Sequence, residues 1–497
     1  MSKKAIVIGS GFSGLAAACF LAKEGHAVTV LEKNDCPGGR ARKFEAEGFV
    51  FDMGPSWYWM PDVFEQFFGH FGKKVSDYYD LKRLDPSYRV FFKESGGTAD
   101  VVDLPAQMIE LERFFERMEF GSALKLRRFL AEAEYKYRVG MGEFVHKPSH
   151  SIWEFADARV LFSLFRLQMF TPISRHIRSL FKNEKLIQLL EFPVLFLGAT
   201  PQNTPALYSL MNYADLSLGT WYPMGGMHEI VKAMVSLAES LGVEIKLGQE
   251  VVSVESTGGK AVAAITANGS RYQADAFVGA ADYHHIETRL LQRADRNYSD
   301  KFWDKQVMAP SSLLWYIGVN KRLDGLLHHN LFFDEDFSQH AEEIYTQPKW
   351  PTKPLFYASL PSKTDPSVAP AGSENLFLLI PVAPGLEDSP EIRARYFDIV
   401  MDRLEKRSGQ AIRPHIVYER SFAYTDFVRD YHAFRGNAYG LANTLLQTAF
   451  LKPKMKNRKL SNFWYTGQLT VPGPGVPPAI ISGQVAATEV HRALRSS

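Results

Sequence analysis

Cysteine is nearly absent: Cys19 and Cys36 are the only two thiols in 497 residues. Cys19 falls on a stretch with helical spacing and Cys36 just past a strand-like run, so no disulfide framework can be drawn and a reducing cytoplasm suits the chain. An excess of charge of either sign is also missing. The net charge is +2, which gives no electrostatic footing for nucleic acid. No long apolar run is present. The longest uncharged stretch, 192–214, carries Pro193, Pro201, Pro205, Gln202 and two asparagines, too much polarity for a membrane span. There is no low-complexity segment, no internal repeat, and neither a Ser/His/Asp array nor a ligand spacing of metal type. His284 and His285 lack further ligands around them and read as structural.

What remains is an ordinary globular balance, 46% hydrophobic and 23% charged, with room for two or three lobes. Aromatic residues reach 13%, including 36 Phe, which suits a Phe-heavy core or a protein that encloses large apolar molecules. Lys3, Lys4 and the apolar run to Ala22 have the outline of a secretion signal. Three glycines at fixed offsets inside that run argue against one.

Those glycines carry the first functional signal. KAIVIG at 4–9 is a short β-branched run, a buried parallel strand. GSGFSG follows, with Gly9, Gly11 and Gly14 at GxGxxG spacing and Ser13 among them, then the apolar helix LAAACFLAKEGH closed by Gly25, then the strand AVTVLEK ending at Glu32. Gly9 allows the tight turn, Gly11 lets the backbone approach a diphosphate, and Gly14 lets the helix pack on the strand. The helix N-terminus turns free N–H groups and its positive dipole end toward the phosphates. Glu32, with Lys33 beside it, stands where a carboxylate reaches ribose hydroxyls, which disfavours a 2′-phosphate and so NADP. After Glu32 comes PGGRAR. It resembles the segment that follows the ribose acid in flavoproteins with two dinucleotide-binding motifs, which implies FAD, with Gly38 and Gly39 offering N–H groups and Arg40 a charge.

The remaining chain alternates in character. KFEAEGFVFDMGPSWYWM at 43–60 reads as a hairpin and a loop, and 61–72 as a short amphipathic helix. Long helical patterns run from Pro105 to Met141 and from Ile152 to Leu190. A glycine turn enters a helix at 224–242, and strands follow with a hairpin turn at 267–269; Val251 is the expected backbone contact for an adenine. The stretch 462–497 reads as strand, Gly/Pro loop and helix, its helix start aimed at a flavin ring. The expected fold class is α/β: a Rossmann-like FAD-binding domain from 1–75, 222–300 and 455–497. An inserted α+β substrate domain, with a helical, membrane-facing lobe, takes 76–221 and 301–454.

Over nearly its whole length the chain resembles the carotenoid desaturases, the bacterial phytoene desaturases in particular. The matching pieces are VIGSGFSGLAAA, VTVLEKNDCPGGRA, FDMGPSW at 51–57, PALYSLMNYADLSLGTWYPMGGM at 205–227, TDFVRDYHAFRGNAYGL at 425–441 and TGQLTVPGPGVPPAIISG at 466–483. Ser56 stands where Thr is common, Pro474 and Pro478 stand where glycines are common, and Ala156 precedes Asp157 where the family often has Arg-Asp. The resemblance implies FAD contacts at Gly54, Pro55, Ser56, Gly467, Gly475, Val476 and Pro477, and offers Asp157 as a catalytic candidate, set against a solvated acid at a helix start. It implies a long polyprenoid hydrocarbon as substrate, held by burial at roughly 0.8 kcal/mol per CH₂, with a hydride passing to the flavin and a proton to a base or water. The main expectation is phytoene desaturation. A hydroxycarotenoid 3,4-desaturase and a carotene cis-trans isomerase stand beside it, as do an amine oxidase and a non-enzymatic prenyl carrier on the same fold. A water-insoluble substrate must come from a bilayer. The basic, apolar stretch 159–185 suits either an interfacial helix at the inner face of the cell membrane or an ordinary helix packed on the core.

Overall fold

A computed structural model describes residues 2–95, 98–149, 167–169, 171–197, 200–444 and 447–496. At its centre lies a five-stranded parallel sheet. β1 (Lys4–Ile8) is flanked on one side by β2 (Ala27–Leu31) and then Glu244–Lys246, and on the other by Ala276–Gly279 and then Phe463–Tyr465. α1 (Phe12–Lys23) crosses between β1 and β2. Alternate side chains of the sheet serve two cores, as the pleat requires. Ala5, Val7, Val28 and Val30 face α1 and the helices His228–Ser240 and Val476–Arg495. Ile6, Ile8, Leu31 and Phe277 face a three-stranded antiparallel meander, Val251–Thr257, Lys260–Thr266 and Arg271–Gln273. α1 is apolar nearly all round because it is covered on several sides. Helix Val476–Arg495 lies so close to it that a Cβ at Gly483 would overlap Ser13 O and stand 2.8 Å from the Ala16 methyl.

A second, seven-stranded mixed sheet runs in the order Ile416–Phe422, Ser311–Val319, Glu374–Val382, Phe356–Ser359, His329–Phe333, Tyr88–Ser95, Thr98–Leu104. One face buries Leu313, Trp315 and Ile317 against Tyr396, Val400 and Leu404 of helix Pro390–Ser408. That helix starts as its sequence requires, with the Ser389 side chain accepting the Ile392 N–H and Pro390 in the first turn, and it ends at Gly409 with φ +68°. The other face covers the hairpin Lys43–Ala46/Phe49–Asp52: the Tyr316 hydroxyl donates to Met53 O at 2.7 Å, and Asn375 Nδ2 to Val50 O at 2.8 Å. The loop at Gly54–Ser56 is thereby held between the two sheets.

The helical patterns are shorter than the sequence reading expects. Pro105–Met141 is two helices, Met108–Met118 and Ser122–Val139, broken where Glu116 accepts the N–H groups of Gly121 (φ +77°) and Ala123. Of Ile152–Leu190, residues 150–166 lie outside the described residues, and Asp157 with them. The described part forms Ile173–Leu180 and Glu184–Glu191. There Ile173, Ile177 and Phe181 are fully buried while Arg175 and Arg178 face outward, so this portion is a core-packed helix with no apolar side left for lipid. No helix among the described residues is long and apolar enough to cross a membrane.

Candidate active site

The turn from β1 into α1 is built around missing side chains. Gly9 has φ +105°, and a Cβ at Gly14 would overlap the Gly9 carbonyl, so helix and strand meet only because both are glycine. Gly11 differs: a Cβ there meets nothing within 4 Å. It caps α1 with no side-chain hydrogen bond and no acid in the first turn, leaving the first N–H groups free for an anion. Glu32 lies 4% exposed at the end of β2. Its Oε2 accepts Ser10 N–H and Oγ–H at 2.9 and 2.7 Å, and its Oε1 accepts Asn34 N–H and Nδ2–H at 3.0 and 2.8 Å. The carboxylate is held rigidly beside the turn, and ribose hydroxyls would share it with Ser10 and Asn34.

Gly38 and Gly39 fold back onto this turn. Gly38, at φ +110°, donates to Ser10 O at 3.0 Å, and a Cβ at Gly39 would stand 3.3 Å from Gly11 Cα. Arg40 follows, half-buried, with its Nε shut off from solvent. One Nη donates to Asn437 O at 3.2 Å, the plane lies 5.3 Å from the Tyr431 ring, Asp282 attracts it, and Nε has no partner. A partly desolvated guanidinium with a donor to spare fits a diphosphate. Gly54 is packed against Arg40, where a Cβ would overlap the Arg40 carbonyl.

The FDMGPSW and YPMGGM segments meet through Asp52. Its carboxylate accepts Met227 N–H at 2.7 Å and His228 N–H at 2.9 Å, capping helix His228–Ser240, while His228 Nδ1 pairs with Ala41 O at 2.8 Å. Burial raises the Asp52 carboxyl to about 6. On the far side, Gly467 sits over Ser13, and Gly475 caps helix Val476–Arg495, with Val476 and Pro477 as its first residues and no side-chain cap. Two helix N-termini thus flank one space.

Beyond the Gly54 loop stands an aromatic wall. Trp57 stacks on His329 at 4.1 Å and 10°, with Tyr88, Phe192, Trp59 and Tyr357 around it. His329 Nδ1 pairs with the Tyr357 hydroxyl at 2.6 Å, and burial pulls the imidazole well below its usual range, so it is neutral. Behind Tyr88 lies Asp215, accepting the Tyr88 hydroxyl at 2.9 Å and the Thr220 hydroxyl at 3.2 Å. Burial pushes Asp215 up to about 7. A carboxyl whose folded value is raised stabilises the fold most below its unfolded value, and that stability is lost as pH rises through the folded value. Raising it from 3.8 to about 7 corresponds to about 4 kcal/mol lost across pH 4 to 7. Asp215→Asn is therefore expected to flatten the fall in stability over that window, read as the difference between variant and wild-type urea midpoints at pH 4, 5.5 and 7.

The structure brings Gly9, Gly11, Ser13, Gly14, Glu32, Gly38, Gly39, Arg40 and Gly54 to one cradle, with Gly467 and Gly475 at its far end. Pro55 and Ser56 turn toward the wall, Ser56 facing the Tyr357 hydroxyl. Lys33 points away and donates to Arg429 O at 2.8 Å, so it contributes to a nucleotide only through its backbone. The Val251 side chain is buried among Ile8 and Leu31; only its backbone can face an adenine. Asn34 and Asn437 lie in family-like segments but are not singled out by sequence, and Asp282 lies in none; their contacts with Glu32 and Arg40 are reached only through the fold.

The sequence that builds this site is matched by a family model. Residues 12–491 fit the model described as flavin containing amine oxidoreductase. The chain belongs to that family. Among the relatives of this flavoprotein, a carotenoid 3,4-desaturase of Haloarcula japonica is 42% identical over 96% of this chain and 96% of its own. A zeta-carotene-forming phytoene desaturase of Myxococcus xanthus is 30% identical over 97% and 93%. An oxidoreductase from Methanosarcina mazei, a solved structure, shares the fold with a TM-score of 0.63 at 17% identity, over 97% and 98% of the two chains. The flavoprotein is thus an FAD-dependent oxidoreductase of the carotenoid desaturase group.

Proposed function

We propose that the flavoprotein removes two hydrogens from a CH₂–CH₂ unit of a long polyprenoid, as a carotenoid 3,4-desaturase. The observation that carries this reading is the 42% identity, nearly end to end, with a relative of that name, against 30% for the phytoene desaturase. Phytoene desaturation, the main expectation from sequence, is the second reading.

FAD bound in the cradle supplies the hydride acceptor; the chain's own residues bind, orient and keep water out. The free N–H groups of α1, with Gly38, Gly39 and Arg40, would hold the diphosphate, and Glu32 a ribose. The Trp57–His329 stack offers a neutral, flat surface to a substrate with no polar handle. Its hold on the polyene comes from buried area, and its precision from placing one C–C bond beside the cofactor.

Delivery from a membrane surface belongs to the same reading. Phe120 (94% exposed), Ile109 and Leu124 project from the tip of the helix pair Met108–Met118/Ser122–Val139. Lys125 and Arg127 are close by, paired with Glu119 and Glu112, so the exposed apolar side chains are what suits the tip to shallow insertion.

The test is turnover of FAD-loaded protein in liposomes, with phytoene in one arm and a hydroxylated carotenoid still saturated at C3–C4 in the other. A product lighter by two hydrogens in the second arm alone is expected. Hydrogen loss from phytoene alone moves the assignment to the second reading. A product of unchanged mass formed only with reduced flavin makes the protein an isomerase. In the same assay Phe120→Asp is expected to lower co-sedimentation with the liposomes; unchanged association sinks the membrane reading.

A further inference from the structure

Asp215 is a buried carboxyl with no task in the proposed function. It lies 1% exposed in the π-helical turn Tyr213–Ser217, a widened turn of a kind frequent at functional sites. Both of its oxygens are taken by donors. Tyr88 Oη donates to one at 2.9 Å, and Thr220 Oγ1 to the other at 3.2 Å. Thr220 Oγ1 in turn accepts Trp59 Nε1–H at 2.9 Å. An indole can only donate, so the hydrogens run from Trp59 to Thr220 and end on an Asp215 oxygen that must accept. With Tyr88 donating from the other side, the group is built as a carboxylate.

No counter-charge accompanies it. Among the described residues no cation pairs with Asp215, and only Tyr88 and Thr220 offset its burial. Arg83, on the strand paired with Trp221–Pro223, donates to Ala106 O at 2.9 Å instead. Helix Ser122–Val139, which packs on the same turn, sends Lys136 to Ala206 O and Ser209 Oγ at 3.0 Å each, Tyr137 to Asp62 at 2.7 Å and Arg138 to Glu134. His329, on the other side of Trp57, is neutral. A buried carboxylate with no cation is costly, and such a group beside a candidate site points to positive charge that arises there.

The two rings that this network holds belong to the aromatic wall. Trp59 and Tyr88 flank Trp57 at centroid distances of 5.1 and 5.5 Å, and Phe192 closes on Tyr88 at 5.5 Å. Desaturation makes a positive charge of its own. When one carbon of the CH₂–CH₂ unit gives a hydride to FAD, that carbon is left cationic. Its neighbour then loses a proton to water, and the electron pair of that C–H bond becomes the second bond of the alkene. Aromatic faces attract a cation, and a fixed charge behind them in a dry site acts without reorganising. We propose that Asp215 is a positioning residue that lowers the barrier to hydride departure, its carboxylate holding Tyr88 and Trp59 in the wall and setting a negative field behind it. This rests on the wall facing the substrate, as in the proposed function, and holds for either carotenoid considered there.

Asp215→Asn removes the charge and keeps the size. In FAD-loaded protein, with whichever carotenoid it desaturates, the variant is expected to lower kcat about tenfold and leave KM within about twofold. At pH 8 its urea midpoint should stay at or above that of wild type. A merely structural role would lower rate and stability together. Wild-type kcat should rise with pH through about 7, as Asp215 ionises, and Asp215→Asn should lose that limb. Tyr88→Phe takes one donor from the carboxylate and should move the limb to higher pH; it carries the test if Asp215→Asn does not fold. A second arm requires no desaturation. Wild type is expected to bind geranylgeranylamine, a cation on a polyprenoid chain, about tenfold more tightly than geranylgeraniol, and Asp215→Asn to bind the two alike. If no carotenoid is turned over, the proposed function fails and this arm alone decides. Wild-type kcat and pH profile in Asp215→Asn, a rate loss matched by a loss of stability, or an amine preference that the variant keeps overturns the proposal.

Discussion

Gly14→Ala is expected to yield a protein that neither retains FAD nor reaches wild-type stability. A Cβ there overlaps the Gly9 carbonyl, a backbone atom that cannot swing aside as a side chain can. Relief requires α1 to shift away from β1, yet α1 is pinned on its far side by helix Val476–Arg495 through Gly483. Overpacking against movable side chains costs about 1–3 kcal/mol, and a clash between two backbones should stand at or above the top of that range. Gly11→Ala is the control. Its Cβ meets no protein atom within 4 Å, and Gly11 has an ordinary φ of −68°, so the apo fold should unfold at its wild-type temperature. FAD affinity should nevertheless fall by tenfold or more, because the space the methyl enters is where the backbone approaches a diphosphate. Thermal unfolding of apo protein together with FAD titration separates the two. Equal losses of stability in both variants would mean that the turn is only a packing device.

Arg40→Met should weaken FAD binding by about a hundredfold. A hydrogen bond to a charged group contributes about 1.5–3 kcal/mol, and about 2.7 kcal/mol is a hundredfold. The guanidinium is already partly desolvated, already oriented by Asn437 O and the Tyr431 ring, and has Nε unpaired, so little is spent to bring it to a phosphate. Arg40→Lys should recover part of the loss, having the charge but not the fork. The check is flavin fluorescence on titration, and the rise in unfolding temperature that added FAD gives, which scales with ligand concentration over Kd. A Met variant that holds FAD as wild type does would leave Arg40 a structural partner of Asp282.

The nucleotide half of the site was legible because its signals are local. A β-branched run, three glycines at fixed offsets, a small-residue helix and an acid after the next strand each constrain a few neighbouring residues. Their joint occurrence leaves little choice of fold. The supports around them were not legible. Arg40 finds Asn437 and Asp282, and Trp57 finds His329, across hundreds of residues, and no periodicity records such pairings. Glu32 gave its position but not its holders, Ser10 and Asn34. The stretch around Ile173–Leu180 left two readings open for another reason. A helix with one apolar and one basic face has the same pattern whether it lies on lipid or on a core, and only burial tells which. The spacing predicts one long helical pattern from Pro105 to Met141, yet the break at Gly121 depends on Glu116 turning back onto two amides, a choice of side-chain geometry rather than of composition.

The pinning of α1 by Gly483 also bears on how the protein is made. The β1 turn leaves the ribosome well before its second neighbour strand, Ala276–Gly279, and before the helix that clamps α1, Val476–Arg495. At about 5–20 residues per second the opening segment waits roughly half a minute or longer for its last partner. A nascent chain therefore carries an exposed, sticky βαβ unit until that helix is made, and cofactor loading waits for the same event.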